Sequence, residues 1–323
     1  MKRFVQALLL AAMAALLAVL APSPALGSWT PYGAGVGAGV LLAVCLLLGL
    51  RRHGGIYDAR IDPMELALVC VPAAFIGARL SYCLVRFGFY FLEMGPLSVF
   101  RVFEGGFLLY GAAAGAMLAA ALLARRRGAD IAVALDEIAA PGMLVIAVSR
   151  LCEGMTTEGV GAWIESEWMM RFPFAVLNEY EEWQLAVFLP EALAAAMILL
   201  VVLRAVRGRG ERIMTAALLY ACCQVFFESL RMDGCLKIGF VRVSQVASAV
   251  VILIVTMIRA RRAGGRKQAT VRAVPVAVCV AVIGIIEWAL DKTPVSNVLL
   301  HSVMALLCAV MAVNGMLFQK KAR

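Results

Sequence analysis

Along this chain, apolar residues gather into long runs, and charge is sparse inside them and dense between them. The candidate runs are 4–21, 32–50, 65–87, 107–125, 132–150, 183–205, 214–230, 244–259, 271–290 and 297–317. A helix that crosses a bilayer needs about 20 mostly apolar residues, and these runs have that length or come close to it. The pattern predicts an all-α polytopic membrane protein, a helical bundle of ten spans. No interval between runs is long enough to be a soluble domain.

The first run, MKRFVQALLLAAMAALLAVL followed by PSPALGS, has a basic start, an apolar centre and a small-residue exit. It reads either as a signal peptide cut after Gly27 or as an uncut signal anchor, leaving nine or ten helices. Lys and Arg give the direction. With the N-terminus in the cytoplasm, one side collects Lys2 and Arg3, Arg51 and Arg52, Arg125 to Arg127, Arg204 to Arg212, Arg259 to Arg272, and Lys320, Lys321 and Arg323. That is about two-thirds of the basic residues, and the alternation holds at every loop, as the positive-inside rule requires. The 150s then lie at the outer face.

Composition agrees. Of 323 residues, 63% are hydrophobic, against about half in soluble domains. The net charge of +9 belongs to this membrane asymmetry and not to nucleic-acid binding. Nine cysteines are present, mostly inside spans, where cysteine acts as a small apolar residue. Cys152 and Cys235 sit near outer helix ends, where an oxidising compartment would permit a disulfide. His53 and His301 are the only histidines. Neither has a partner at ligand spacing, so no metal site is expected.

Two intervals stand apart. Residues 151–182 are acidic and aromatic, with Glu165, Glu167, Trp168, Arg171, Phe172 and Glu179 among them, and predict a small outer cap. Residues 88–106 are aromatic with few charges, as expected of an element lying at the membrane interface. Gly111 with Gly115, and the series Gly33, Gly35, Gly37 and Gly39, are small-residue faces for close helix packing.

Charges within the runs need reasons, because each costs at least about 2.5–3.5 kcal/mol at mid-membrane. Asp136 and Glu137 are accounted for by the start of their helix, and Glu287 by its outer position near Lys292. Glu228 and Arg231, three apart on one face, suit an ion pair. Arg79, Arg150, Arg231 and Arg242 all fall in the outer half of the membrane. Four arginines at one depth predict an anion held at headgroup level, since the planar guanidinium suits phosphate.

Several pieces, in order, resemble the bacterial prolipoprotein diacylglyceryl transferase family from about residue 32 to 260. These are IGARLSY at 76–82, with Arg79 and Tyr82; EGGFLLYGAAAG at 104–115; and LDEIAAPGMLVIAVSRL at 135–151. The following VSRLCEGMTTEGVGAW is similar to the family signature, with Arg150, Glu158 and Gly161 on its Arg, Glu and last Gly. WQLAVFLPEA places Glu191, YACCQVFFESLR places Tyr220, Glu228 and Arg231, and Gln245 falls on a glutamine of the next span. The resemblance implies a seven-span core over 28–265, with 1–27 before it and two extra helices in 266–323. It also implies transfer of a diacylglyceryl group from phosphatidylglycerol to the lipobox cysteine of a preprolipoprotein. The enzyme would work without metal or cofactor, in the bacterial plasma (inner) membrane, with its site toward the outer face. That chemistry needs a base or positive field at the thiol and cations on the departing phosphate. Arg150 would hold the phosphate, and Glu158 would orient Arg150 or the headgroup. Arg79, Tyr82, Glu191, Tyr220, Gln224, Glu228, Arg231, Arg242 and Gln245 would bind substrate.

Three positions depart from the family. Tyr110 replaces a histidine and is a poor base near neutrality. Glu153 replaces an asparagine, and Gln224 replaces an arginine. Glu153 is the candidate replacement base, with Arg231 or Arg242 standing in for the lost cation. The alternatives are a related membrane enzyme with another acceptor, or a non-catalytic relative that binds phospholipid or lipoprotein.

Overall fold

The computed structural model describes residues 2–20, 31–53, 57–178, 180–206, 208–234, 236–293 and 296–321. The chain forms two compact units, Met1–Thr156 and Thr157–Arg323. Among the described residues, seven helices are long and apolar enough to cross a membrane. The fold is an all-α polytopic membrane protein.

The first unit holds α1 (Lys2–Leu20), α2 (Pro31–Arg52), α3 (Pro63–Val85), α4 (Leu109–Arg127) and α5 (Ile131–Glu153). Local chemistry sets several ends. Asp62 caps α3 with Pro63 at its first position, and Asp130 caps α5 by accepting from the Ala132 N–H at 2.9 Å, the usual way to satisfy orphan N–H groups. Gly128 closes α4 in the left-handed region at φ 64°, where glycine carries no Cβ penalty. The helices meet on Leu10, Leu47, Leu66, Ala120 and Leu123. At the α3–α4 crossing a Cβ on Gly77 would strike the Gly111 carbonyl, and one on Gly115 the Ala73 carbonyl. The expected small-residue contact thus forms at Gly111 and Gly115. Gly35 likewise makes room for Cys152, and Gly37 for the Ala14 carbonyl of α1.

Between α3 and α4 the aromatic interval folds as three short turns: a π-helix at Gly88–Glu93 and 3-10 turns at Pro96–Phe100 and Val102–Glu104. Glu137 does more than begin a helix. It accepts from Arg51 of α2 at 2.9 Å and from the Asp58 N–H at 2.8 Å.

The second unit holds a hairpin of β1 (Ala175–Leu177) and β2 (Trp183–Leu185), then α6 (Phe188–Arg204) and α7 (Glu211–Leu230). A hairpin of β3 (Lys237–Ile238) and β4 (Val241–Arg242), α8 (Val243–Lys292) and α9 (Asn297–Lys321) follow. Its core joins Leu218 and Cys222 of α7 to Ile252 and Ile283 of α8 and Met304 and Met311 of α9. Arg259, 2% exposed, donates to the Gly315 carbonyl, Glu211 and Thr215.

Two expectations change. The run 183–205 begins as strand, and its helix, 17 residues long, spans about 26 Å at 1.5 Å per residue. The runs 244–259 and 271–290 stay two spans, Val243–Gly265 and Ala269–Lys292, the two arms of α8, which meet at a non-helical break at Gly264–Gly265, where Gly265 has φ 76°. Among the described residues seven spans and not ten meet the length and apolarity of a crossing. The apolar part of α1 is 17 residues, α6 is equally short, and α4 is diluted by glycine and its terminal arginines.

Candidate functional site

In the first unit the interval 88–106 is organised around Arg79. Its guanidinium lies 3% exposed and uses all five of its N–H groups on backbone carbonyls. Nε donates to Val99 at 2.9 Å, Nη2 to Ser98 at 3.2 Å and Arg101 at 3.0 Å, and Nη1 to Gly105 and to Gly106 at 3.4 Å. The Tyr90 ring covers it at 5.0 Å, and Tyr82 meets Tyr90 edge-on at 6.0 Å. Gly106, at φ 79°, must be glycine, since a Cβ there would stand 2.5 Å from the Tyr82 ring. Tyr110 follows in the first turn of α4, partly buried.

At the end of α5, Arg150 and Glu153 are both buried and form an ion pair one turn apart. The acid that replaces the signature asparagine is therefore held on the signature arginine.

In the second unit most of the remaining predicted residues come together. Tyr220 of α7 donates its hydroxyl to Glu191 of α6 at 3.3 Å. Glu191 accepts from Arg231 at 3.0 Å, and Arg231 also holds Asp233 at 2.7 Å. Asp233 bridges to Arg242 at 2.8 Å, and Arg242 reaches Glu228 at 3.3 Å and the Arg231 carbonyl. Gln224 donates to Glu228 at 2.6 Å, while its own Oε1, buried, has no hydrogen-bond partner among the described residues. Gln245 accepts from the Arg242 N–H at 3.1 Å, closing a capping box at the start of α8. Three carboxylates thus surround two guanidinium groups, all nearly out of solvent. The expected Glu228–Arg231 neighbours each take other partners.

The signature's end joins the same cluster. The Gly159 N–H donates to Asp233 at 2.9 Å. Gly161 pairs with Arg231 and donates to the Leu185 carbonyl at 2.8 Å. A Cβ on Gly161 would stand 2.7 Å from the Leu230 carbonyl, which explains why that position is glycine. Glu158 itself lies exposed in the irregular chain after α5.

Asp233 is the residue sequence reasoning missed. Burial by itself raises its carboxyl, but Arg231, the Gly159 N–H and Arg242 together hold it below the usual carboxylate range. Its signal was an acid two residues after Arg231, between two helices. Glu287 was also misread: Lys292 pairs with Asp291 at 3.1 Å, and Glu287 accepts from Gln245 at 2.6 Å. Cys235, one half of the expected disulfide, lies outside the described residues, as does Glu179 of the cap.

The chain matches the prolipoprotein diacylglyceryl transferase family over residues 27–261. Among similar proteins are the phosphatidylglycerol–prolipoprotein diacylglyceryl transferases of Bacillus mycoides (strain KBAB4) and Bacillus cereus (strain B4264). Each is 33% identical over 245 residues, covering 72% of this chain and 88% of the relative. The match stops within the first arm of α8, so the second arm and α9 lie beyond it.

Proposed function

The chain belongs to the prolipoprotein diacylglyceryl transferase family, and we propose that it moves diacylglyceryl from phosphatidylglycerol to the lipobox cysteine of a preprolipoprotein. The observation that carries this reading is the buried Glu191–Arg231–Asp233–Arg242–Glu228 cluster, built on the matched segment. Ion pairs this dry are costly to assemble, and Glu191, Glu228 and Arg231 of the cluster stand at positions that the family motifs single out.

In this reaction the cysteine sulfur attacks the glyceryl carbon that carries the phosphate. The carbon–oxygen bond breaks, glycerol phosphate leaves with the bonding pair, and the thiol proton passes to a base. Arg150 holds the phosphate as charge builds on it. Glu153, already on Arg150, is the base in place of the missing histidine, and protonating it releases the arginine to the phosphate. Glu158 orients the headgroup. In the second unit Arg231 and Arg242 stand in for the cation that Gln224 no longer gives, each held by carboxylates that a substrate anion would have to displace, and Tyr220, Glu191, Glu228 and Gln245 hold them. Tyr110, at the position of the family's histidine, is the further catalytic candidate, and Tyr82 binds substrate. The protein works in the bacterial plasma membrane with this chemistry toward the outer face, where lipid donor and preprolipoprotein both arrive through the bilayer. Residues 28–265 are the transferase core and 266–323 an addition to it.

The test is direct. Purified protein is mixed in detergent with phosphatidylglycerol and a lipobox peptide, and the peptide's mass is followed. A gain of one diacylglyceryl group is the expected result. No gain from folded protein, with an active relative working alongside, removes the transferase reading and favours another acceptor or a binding role.

A further inference from the structure

Glu287 lies on the second arm of α8, beyond the segment that matches the family. It nevertheless touches the buried cluster of the second unit. Gln245 Nε2 donates to Glu287 at 2.6 Å and, more weakly, to the Val225 carbonyl at 3.3 Å. Gln245 Oε1 faces the Arg242 N–H at 3.1 Å. A glutamine amide has a donor end and an acceptor end of nearly equal shape, and its neighbours decide which way it turns. A carboxyl oxygen accepts from an amide N–H, so Glu287, with the Val225 carbonyl, selects the amino end. That leaves the carbonyl end for Arg242. The Arg242 backbone is then fixed at the N-cap of α8, and its guanidinium reaches Asp233 at 2.8 Å and Glu228 at 3.3 Å.

We propose that Glu287 is a positioning residue for Arg242, acting through the orientation of the Gln245 amide. The addition beyond the matched segment therefore completes the arginine cluster and is more than a membrane anchor. The proposal rests on the transferase reading only for its functional consequence, since the orientation itself is measurable without turnover.

Hydrogen exchange decides the structural half. Glu287→Ala and the bulkier Glu287→Leu, which keeps the helix packed, are compared with Glu287→Gln, whose carbonyl can still accept from Gln245. Exchange over residues 240–246, which contains the Arg242 N–H, should rise on the order of ten-fold in the first two. It should return to the wild-type rate in Glu287→Gln, with α7 unchanged throughout. Unchanged exchange at 240–246, or equal loosening of α7, or no recovery in Glu287→Gln, overturns the proposal. Kinetics decide the functional half. The KM for phosphatidylglycerol should rise on the order of ten-fold in Glu287→Leu, a usual size for an outer-layer partner, with the KM for the lipobox peptide unmoved. Equal effects on both overturn the assignment to Arg242. Absence of transfer in the wild-type protein refutes the transferase reading instead, and the exchange comparison still stands.

Discussion

Arg79 in the first unit and the Arg231–Arg242 pair in the second meet the same difficulty in opposite ways. Each is a cation almost wholly removed from water. Arg79 is surrounded by five carbonyl dipoles, so every N–H is satisfied while the charge is left without a carboxylate partner among the described residues. Its work is to fold the chain from Ser98 to Gly106 around one planar fork. Arg231 and Arg242 are instead matched by carboxylates, and their hydrogen bonds join α6, α7 and the start of α8. Dipoles shape a loop, whereas ionised partners make an exchangeable set that a competing anion or a proton can rearrange. The second kind suits chemistry and the first suits architecture.

Removing Arg79 should give the largest effect. Arg79→Ala orphans five carbonyl acceptors, two of them in buried hydrogen bonds at about 1–3 kcal/mol each, and folded protein should not be recovered from detergent. Arg79→Lys, with three donors and no planar fork, should restore only part of the yield. Recovery of fully stable Arg79→Ala would show that the cage does not organise the loop. Asp233→Ala comes next, because Arg231, Arg242 and the Gly159 N–H each lose an acceptor in a nearly dry site, at about 1–3 kcal/mol for each buried donor left unsatisfied. Thermal unfolding in detergent measures it, and a shift within error would mean that Arg231 and Arg242 do not depend on this bridge.

Arg150→Ala should lower both stability and function. Transfer per folded protein should fall by about 10²–10³, the usual cost of one key electrostatic donor, and thermal stability should fall as well, because Glu153 stays buried without its cation. Full activity would remove Arg150 from the mechanism. Glu153→Gln should cut transfer too if Glu153 is the base. The smallest effect concerns pH. The Asp233 carboxyl is lowered in the folded protein, so its stabilisation is complete above the ordinary aspartate value of about 3.9 and is lost as pH falls through the lowered one. The stability difference between wild type and Asp233→Asn should therefore be level from neutrality to about pH 5. It should shrink below that. A difference that already shrinks near neutrality would contradict the lowered carboxyl.

The residues of the cluster were legible as types and not as partners. Glu228 and Arg231 stand three apart, so a local pair was the natural expectation. The structure instead sends Glu228 to Arg242 and Arg231 to Glu191 and Asp233, across 14, 40 and 2 positions of sequence. Arg79 could be recognised as an arginine that needed a reason, but its partners are main-chain carbonyls, which look alike at every position of a sequence. Glu287 was passed over because a nearby Lys292 offered a local answer. Its actual partner lies 42 positions away.

What the sequence determined by itself follows from local and periodic physics. Apolar runs of bilayer length become helices because lipid offers the backbone no other hydrogen bonds. Asp62, Asp130 and Gly128 end helices where their own geometry permits. The glycines at 77, 111, 115 and 161 mark close approaches before the neighbour is known. Only the tertiary structure decided which charge meets which and where 183–205 stops being strand. A buried charge selects its partner by distance and direction in space, and the chain order holds no record of either.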